Sequence, residues 1–367
     1  MREEGRISGW QFFMLIMSFL LGTSTLIMPV GPAKQDSWIS YLLTGALGVG
    51  AAYFYVSLGR RFPGETPFQY APRVLGKSLG TLLNLLFLWY SFHLAALLLL
   101  NFSELYVIAI MVTTPLIIFI GIMAGLAAWA VRSGLETLAR LAELLTPLLI
   151  ATVLLLDALT LATPGLTRWE NLLPVMPEGP MPVIRGILPY FAFPFGETVF
   201  FLVLLPFLTD PHKSQRPFCL AIILVNLVLT SALVRNLLVL GPAEARRTNF
   251  PSLAAIQLIN LGDFLQRMDP LIIFIWTFGV FLKLIIVYYV FVLGTAQVFN
   301  LQDYRPLVFP TGLLLTFFAP IVYENFHQMI RFAARTWPFY FFPGYFLYPA
   351  ILLAAAKIRG IKGPNAE

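Results

Sequence analysis

Apolar runs of about 20 residues recur along the whole of this chain, and that repetition restricts the fold before any motif is considered. A helix needs roughly 20 apolar residues to cross the hydrocarbon of a bilayer. Because lipid offers no partner to an open backbone, such runs cross as helices. They fall near 10–28, 37–58, 80–110, 115–131, 141–162, 183–208, 217–240, 270–297, 307–323 and 338–356, divided by short segments rich in proline, glycine and charge. The third is longer than a crossing needs, which implies tilt or protrusion; the fourth is the shortest. Composition agrees: 59% of residues are hydrophobic and 11% charged, where a soluble domain carries roughly a quarter charged. The expectation is an all-α integral membrane protein of about ten transmembrane helices, a single membrane domain over 1–367 with no soluble unit able to do chemistry by itself. The first run, Trp10 to Met28, lacks a small-residue cleavage site and is expected to stay as the first helix.

The formal charge is +6, but Lys and Arg stand in ones and twos between apolar runs rather than in a patch, so nucleic acid is excluded as a partner. Their excess falls on the N-terminus and on alternate loops from there, which puts both termini in the cytoplasm. Cys219 is the one cysteine, too few for a disulfide or a thiolate metal site. The longest connection, 241–270, falls outside on this reckoning. There Ala254, Leu258, Leu261 and Leu265 recur with helical spacing opposite Ser252, Asp263, Gln266 and Arg267. The spacing predicts an extracellular amphipathic helix over 251–267, lying over the mouth of the bundle or resting on lipid headgroups.

Spans one and six carry helix breakers at membrane depth. The first reads Leu21-Gly22-Thr23-Ser24-Thr25; the sixth reads Pro189-Tyr190-Phe191-Ala192-Phe193-Pro194-Phe195-Gly196-Glu197. A proline disfavours the helical conformation of the residue before it, so Phe193 is the natural break point. Unwound backbone persists in a membrane only beside protein or a watery cavity. The breaks recur five spans apart, and an odd offset sends the second set of five through the bilayer in the opposite direction. That is the layout of inverted-repeat transporters, with repeats here near 8–162 and 183–356 and a site at the midplane between the broken helices. Free N–H groups at a half-helix suit an anionic ligand group, and free carbonyls suit a cation. The Gly121/Gly125 pair in span four reads as close helix packing.

The Phe193-Pro194-Phe195-Gly196-Glu197 run, the Leu21-Gly22-Thr23-Ser24 break, the opening Ile7-Ser8-Gly9-Trp10-Gln11 and the ten-span layout together resemble the B subunit of GerA-type spore germinant receptors. That family belongs to the amino acid, polyamine and organocation transporter superfamily. The resemblance covers essentially the whole chain. It implies a LeuT-type fold of five plus five inverted helices with helices 1 and 6 broken, and a nutrient-sensing subunit in the spore inner membrane working with A and C subunits. Related transporters carry more glycine at the first break, whereas Thr23 and Ser24 follow Gly22 here, so the nutrient is left open.

Ionisable groups at membrane depth each need an account, since a bare charge there is costly. Glu197 begins the second half of span six, where it either orders the break or touches a ligand or ion. His93 and Glu104 lie about three turns apart on one face of span three, with Asn101 close by; a hydrogen-bonded core histidine is the plainer reading of His93. In span eight Trp276, Gly279 and Lys283 share a face, with Thr277 beside them. Lys283 is too deep to snorkel and calls for a carboxylate: Glu197, Asp157 or Glu104. Asp157, late in span five, and Arg235, late in span seven, read as side chains reaching an interface.

No catalytic constellation, metal-ligand spacing or cofactor motif is present, so an enzyme is not expected. The leading function is ligand sensing: a small nutrient, an amino acid, bound between spans 1, 3, 6 and 8. Gly22, Thr23 and Ser24 form one wall, Phe193, Pro194, Phe195, Gly196 and Glu197 the other, with Trp276 and Thr277 completing it. Glu104, His93, Lys283 and Asp157 are candidates for an ion or coupling role. The competing function is a proton- or sodium-coupled amino acid transporter with the same pocket.

Overall fold

A computed structural model describes residues 5–262, 265–266 and 268–363. Seven helical segments are long and apolar enough to cross a membrane, and three shorter apolar helices, Gly9–Leu21, Leu116–Arg132 and Arg305–Ile321, accompany them. The chain runs α1 (Gly9–Leu21), α2 (Ser37–Arg61), α3 (Pro67–Leu75), α4 (Lys77–Ala109), α5 (Leu116–Arg132), α6 (Leu135–Ala162), α7 (Met181–Tyr190), α8 (Gln215–Arg247), α9 (Pro251–Ile256), α10 (Asp269–Val298), α11 (Arg305–Phe318), α12 (Phe326–Arg331), α13 (Trp337–Tyr340) and α14 (Tyr348–Ile358). Of these, α3 is a short helix in a connection.

The opening motif has a local purpose. Ser8 Oγ accepts from the Gln11 N–H at 3.1 Å and Gln11 Oε1 accepts from the Ser8 N–H at 2.9 Å, a capping box that starts α1 where the apolar run begins. Just before it, the Ile7 N–H donates to the Phe207 carbonyl at 3.0 Å and the Thr209 N–H to the Ile7 carbonyl at 2.9 Å. The start of span one therefore lies beside the end of span six. Two helices meet that way when they cross in opposite directions, as the five-span offset requires.

The centre of the bundle is α10, packed against α4, α6, α5 and α1. From Leu282 to Val290 every residue of it is buried, as expected of a helix apolar all round. By contrast α5 buries Met123, Ala124 and Ala127 but exposes Ile122, Leu126 and Trp129. In a membrane such a face meets lipid.

Three expectations need correction. The helix foreseen over 251–267 is α9 alone, six residues ending at Ile256. A two-residue hairpin follows, β1 (Asn260–Leu261) with β2 (Leu265–Gln266), turned at Gly262, whose φ of +70° suits a residue without a Cβ. At two positions the burial is the reverse of that expected: Ser252 is buried and Leu258 exposed, and the Ser252 hydroxyl finds partners inside. Asp263 and Arg267 lie outside the described residues. The last span is longer than 338–356 and is not one continuous α-helix. π-helical turns at Phe332–Thr336 and Pro343–Leu347 separate α12, α13 and α14, since Pro338, Pro343 and Pro349 each withdraw a backbone donor from the ladder. Finally, Gly121 and Gly125 do not mediate close packing within the chain. A Cβ at Gly125 would meet open space, and one at Gly121 only the Thr316 methyl at 3.8 Å.

Candidate functional site

Both breaks exist and they face each other. The first helix stops at Leu21, with Gly22 at φ −4°, ψ −113°, and Thr23–Thr25 turn as a 3-10 helix. In the sixth span α7 gives way to a π turn in which Phe193 adopts φ −135°, ψ 116°. This is extended backbone at the residue before Pro194, where the proline forbids helix. The chain resumes as a 3-10 helix over Gly196–Val203, and Thr198 Oγ1 donates to the Phe195 carbonyl at 2.6 Å.

Lys283 and Glu197 join the two breaks. Lys283 Nζ stands 2.5 Å from Glu197 Oε2, both side chains fully buried. The ammonium also lies over two rings, 4.9 Å from the centroid of Phe19 in span one and 4.6 Å from that of Phe193 in span six. A desolvated cation gains about 2 kcal/mol from such a face. Of the three carboxylates the sequence offered Lys283, the fold selects Glu197. Among the described residues Glu104, half-buried in α4, pairs with no basic side chain.

Glycine is required at two places here. A Cβ on Gly22 would come within 3.0 Å of Lys283 Cδ and of the Phe19 carbonyl oxygen, and one on Gly279 within 2.9 Å of the Gly22 carbonyl oxygen. Gly279 thus lets α10 approach the break until Lys283 reaches across it.

Around this pair some buried polar groups lack hydrogen-bond partners among the described residues: Thr23 Oγ1, Ser24 Oγ and Glu197 Oε1. The Trp337 indole lies beside the Glu197 carboxylate without reaching hydrogen-bond geometry. Orphaned buried groups cost about 1–3 kcal/mol each. Three such groups stand at the two breaks, and others, among them those of Tyr41 and Tyr70, lie elsewhere in the bundle.

A model of the spore germination protein family matches residues 6–329. The chain belongs to that family. It is 31% identical to spore germination protein KB of Bacillus subtilis (strain 168) over 359 residues, 96% of this chain and 95% of the relative. It is 28% identical to spore germination protein YndE of the same organism, over 87% of this chain and 86% of that one. Among solved structures it is similar to MhsT in complex with L-phenylalanine, with a TM-score of 0.70 and 12% identity over 98% of this chain and 91% of the other. It also resembles Mhp1, a nucleobase-cation-symport-1 family transporter in a closed conformation with bromovinylhydantoin bound. There the TM-score is 0.63 and the identity 14%, covering 98% of this chain and 81% of the other. At such identities the likeness is one of fold: this spore germination protein has the LeuT-type transporter fold. It is an integral membrane protein of germinant-receptor or permease type.

The other residues singled out from sequence are dispersed around the junction. Trp276 is fully buried, its Nε1–H 3.4 Å from the Phe102 carbonyl and its ring edge-on to Phe250 at 6.2 Å. Thr277 turns to α4, with its hydroxyl 2.6 Å from that of Tyr106. His93 sits in an aromatic box, Nδ1 3.0 Å from the Tyr340 hydroxyl and Nε2 3.2 Å from that of Tyr323, with Trp89 and Phe332 against the ring. It is hydrogen-bonded on both nitrogens, as a core histidine would be.

Asp157 and Arg235, read separately from the sequence, belong together. They pair with each other at 2.8 Å, with Arg235 5% exposed and the Asp157 side chain 15% exposed. The sequence contained the clue: both charges stand late in their spans, and spans five and seven end on the same side of a bundle of alternating helices. Opposite charges at one depth should have been matched. Tyr190 was also missed. Its hydroxyl donates to the Pro29 carbonyl at 2.8 Å and accepts from the Gly31 N–H at 2.9 Å, clamping the chain beyond the first break to the start of the second. Among the described residues no cluster of three His, Cys, Asp or Glu side chains could hold a metal ion.

Proposed function

We propose that this spore germination protein is the nutrient-sensing membrane subunit of a germinant receptor, taking a small zwitterionic nutrient, an amino acid, between spans 1, 3, 6 and 8. The observation that carries this reading is the junction of the two breaks, where Thr23, Ser24 and one oxygen of Glu197 are buried without partners around a fixed ion pair. A zwitterion brings one group for each kind of orphan: an ammonium for Glu197 Oε1, and a carboxylate for the hydroxyls of Thr23 and Ser24 and the free N–H groups of a half-helix. Phe193 and Phe195 supply apolar wall. The structurally similar MhsT was solved with L-phenylalanine, which supports the amino acid class.

Sensing requires that the nutrient bind one conformation better than another, so that occupancy shifts their balance. In this reading the chain sits in the spore inner membrane with both termini cytoplasmic, and passes the shift to A and C subunits. A second reading, ion-coupled amino acid transport, is favoured by the transporter fold itself. Uptake of radiolabelled L-amino acids into proteoliposomes holding this chain alone separates the two. Ligand-induced thermal stabilisation without accumulation supports the sensor; ion-driven accumulation replaces it with the transporter.

A further inference from the structure

The Asp157–Arg235 pair does not end at Arg235. Arg235 Nε and Nη2 both donate to Asn236 Oδ1, at 3.3 and 3.2 Å. Asn236 Nδ2 donates to Ser252 Oγ at 3.0 Å, and Ser252 Oγ donates to the Thr25 carbonyl at 2.6 Å. At the other end Ser231 Oγ donates to Asp157 Oδ2 at 2.7 Å. One polar chain thus runs from α6 through α8 and α9 into the first-span break. Asn236 and Ser252 are fully buried and Arg235 nearly so.

The last link is the informative one. Thr25 lies in the 3-10 turn where the first helix has stopped, so its carbonyl accepts from a side chain of another element. The helix that provides the donor, α9, is six residues long, and among the described residues little else that is polar holds it: Gln257, just past its end, reaches Asp269 at 2.8 Å. Buried on the underside of α9 are Ser252, Ala255 and Ile256.

We propose that Asp157, Arg235, Asn236 and Ser252 are positioning residues for the nutrient site. They form a latch that ties α9 to the unwound backbone of the first break, and in this proposal α9 acts as a cover whose closure and the shape of the ligand wall change together. The proposal rests on the reading of the break as the ligand site. Lifting α9 withdraws the Ser252 hydroxyl from Thr25, the neighbour of Ser24, and deprives the buried Asn236 Nδ2 of its Ser252 acceptor, while Asn236 Oδ1 keeps Arg235. A ligand that fixes the break favours the closed cover, and a closed cover favours the ligand.

The test uses full-length detergent-purified protein with Cys219→Ser and a reporter Ala255→Cys beneath the cover, labelled by a water-soluble maleimide. The rate reports how often α9 opens. Ser252→Ala and Asn236→Ala should each label about tenfold faster or more, as loss of buried hydrogen bonds requires. Asp157→Asn, which touches nothing on α9, should label about threefold to tenfold faster through the chain. Ser252→Thr should label near the parent rate. Variants are compared only where gel filtration shows a folded monodisperse protein. Unchanged rates in folded Ser252→Ala and Asp157→Asn would overturn the latch. Each of the twenty common L-amino acids is then added in turn. If one slows labelling of the parent and slows it less in Asp157→Asn, latch and site both stand. Protection that is equal in parent and variants, with equal basal rates, removes the latch and leaves the site. If no amino acid protects the parent but the variants still open faster, the amino acid reading fails and the latch between α9 and the break stands.

Discussion

Among the described residues, two buried ion pairs cross the interior of this spore germination protein, and they are built differently. Lys283–Glu197 is fully enclosed, held by one short contact and two aromatic faces, and leaves Glu197 Oε1 with no hydrogen bond among the described residues. Arg235–Asp157 is partly open at the acid, and both its members are hydrogen-bonded further, to Asn236 and to Ser231. A pair whose remaining valences are satisfied is a strut. One that keeps an orphaned oxygen beside two broken helices retains capacity for another group.

The contrast can be broken most forcefully at the enclosed pair. Replacing one partner, as in Glu197→Gln or Lys283→Met, leaves a buried charge without compensation and should cost about 3–5 kcal/mol, whereas Lys283→Met with Glu197→Leu should recover much of it. Thermal melting in detergent measures both, and a double variant no more stable than the singles would contradict this view of the pair. Next comes Gly22→Val, which drives a side chain into Lys283 Cδ and the Phe19 carbonyl. Affinity of the folded protein for the L-amino acid that best stabilises the parent should fall about a hundredfold, close to 2.8 kcal/mol. An unchanged Kd would remove Gly22 from the site.

At the strut, Asp157→Asn should cost less, about 1–3 kcal/mol, because the acid is partly hydrated and Arg235 keeps Asn236. A loss as large as that for Glu197→Gln would erase the distinction between the pairs. The smallest effects sharpen the role of glycine. Gly279→Ala presses a methyl to 2.9 Å from the Gly22 carbonyl and should cost about 1–3 kcal/mol by overpacking. Gly125→Ala meets open space and should be neutral or stabilising by up to about 1 kcal/mol. Equal losses at the two positions, read as melting temperatures, would refute the packing difference.

Much of this protein was legible in its sequence because the membrane makes its demands locally. Each crossing must be a long apolar run, so the spans could be read from composition and length. Pro194 fixed the break at Phe193 through a steric effect on the residue beside it, and Gly22 with its hydroxyl neighbours marked the other. Lys283 announced that it needed a carboxylate. Its partner among three candidates, the aromatic box around His93, the segmented last helix and the latch from Asp157 to Thr25 could not be read in the same way. They depend on which helix faces which, and at what depth and rotation. The Ser252 error shows the physical reason: a serine placed on the polar face by periodicity is buried, because a free carbonyl 227 residues earlier in the chain needed a donor. Local pattern settled what each segment is. Only the packed bundle decided which polar groups would satisfy one another and which, those at the two breaks among them, would find no partner among the described residues.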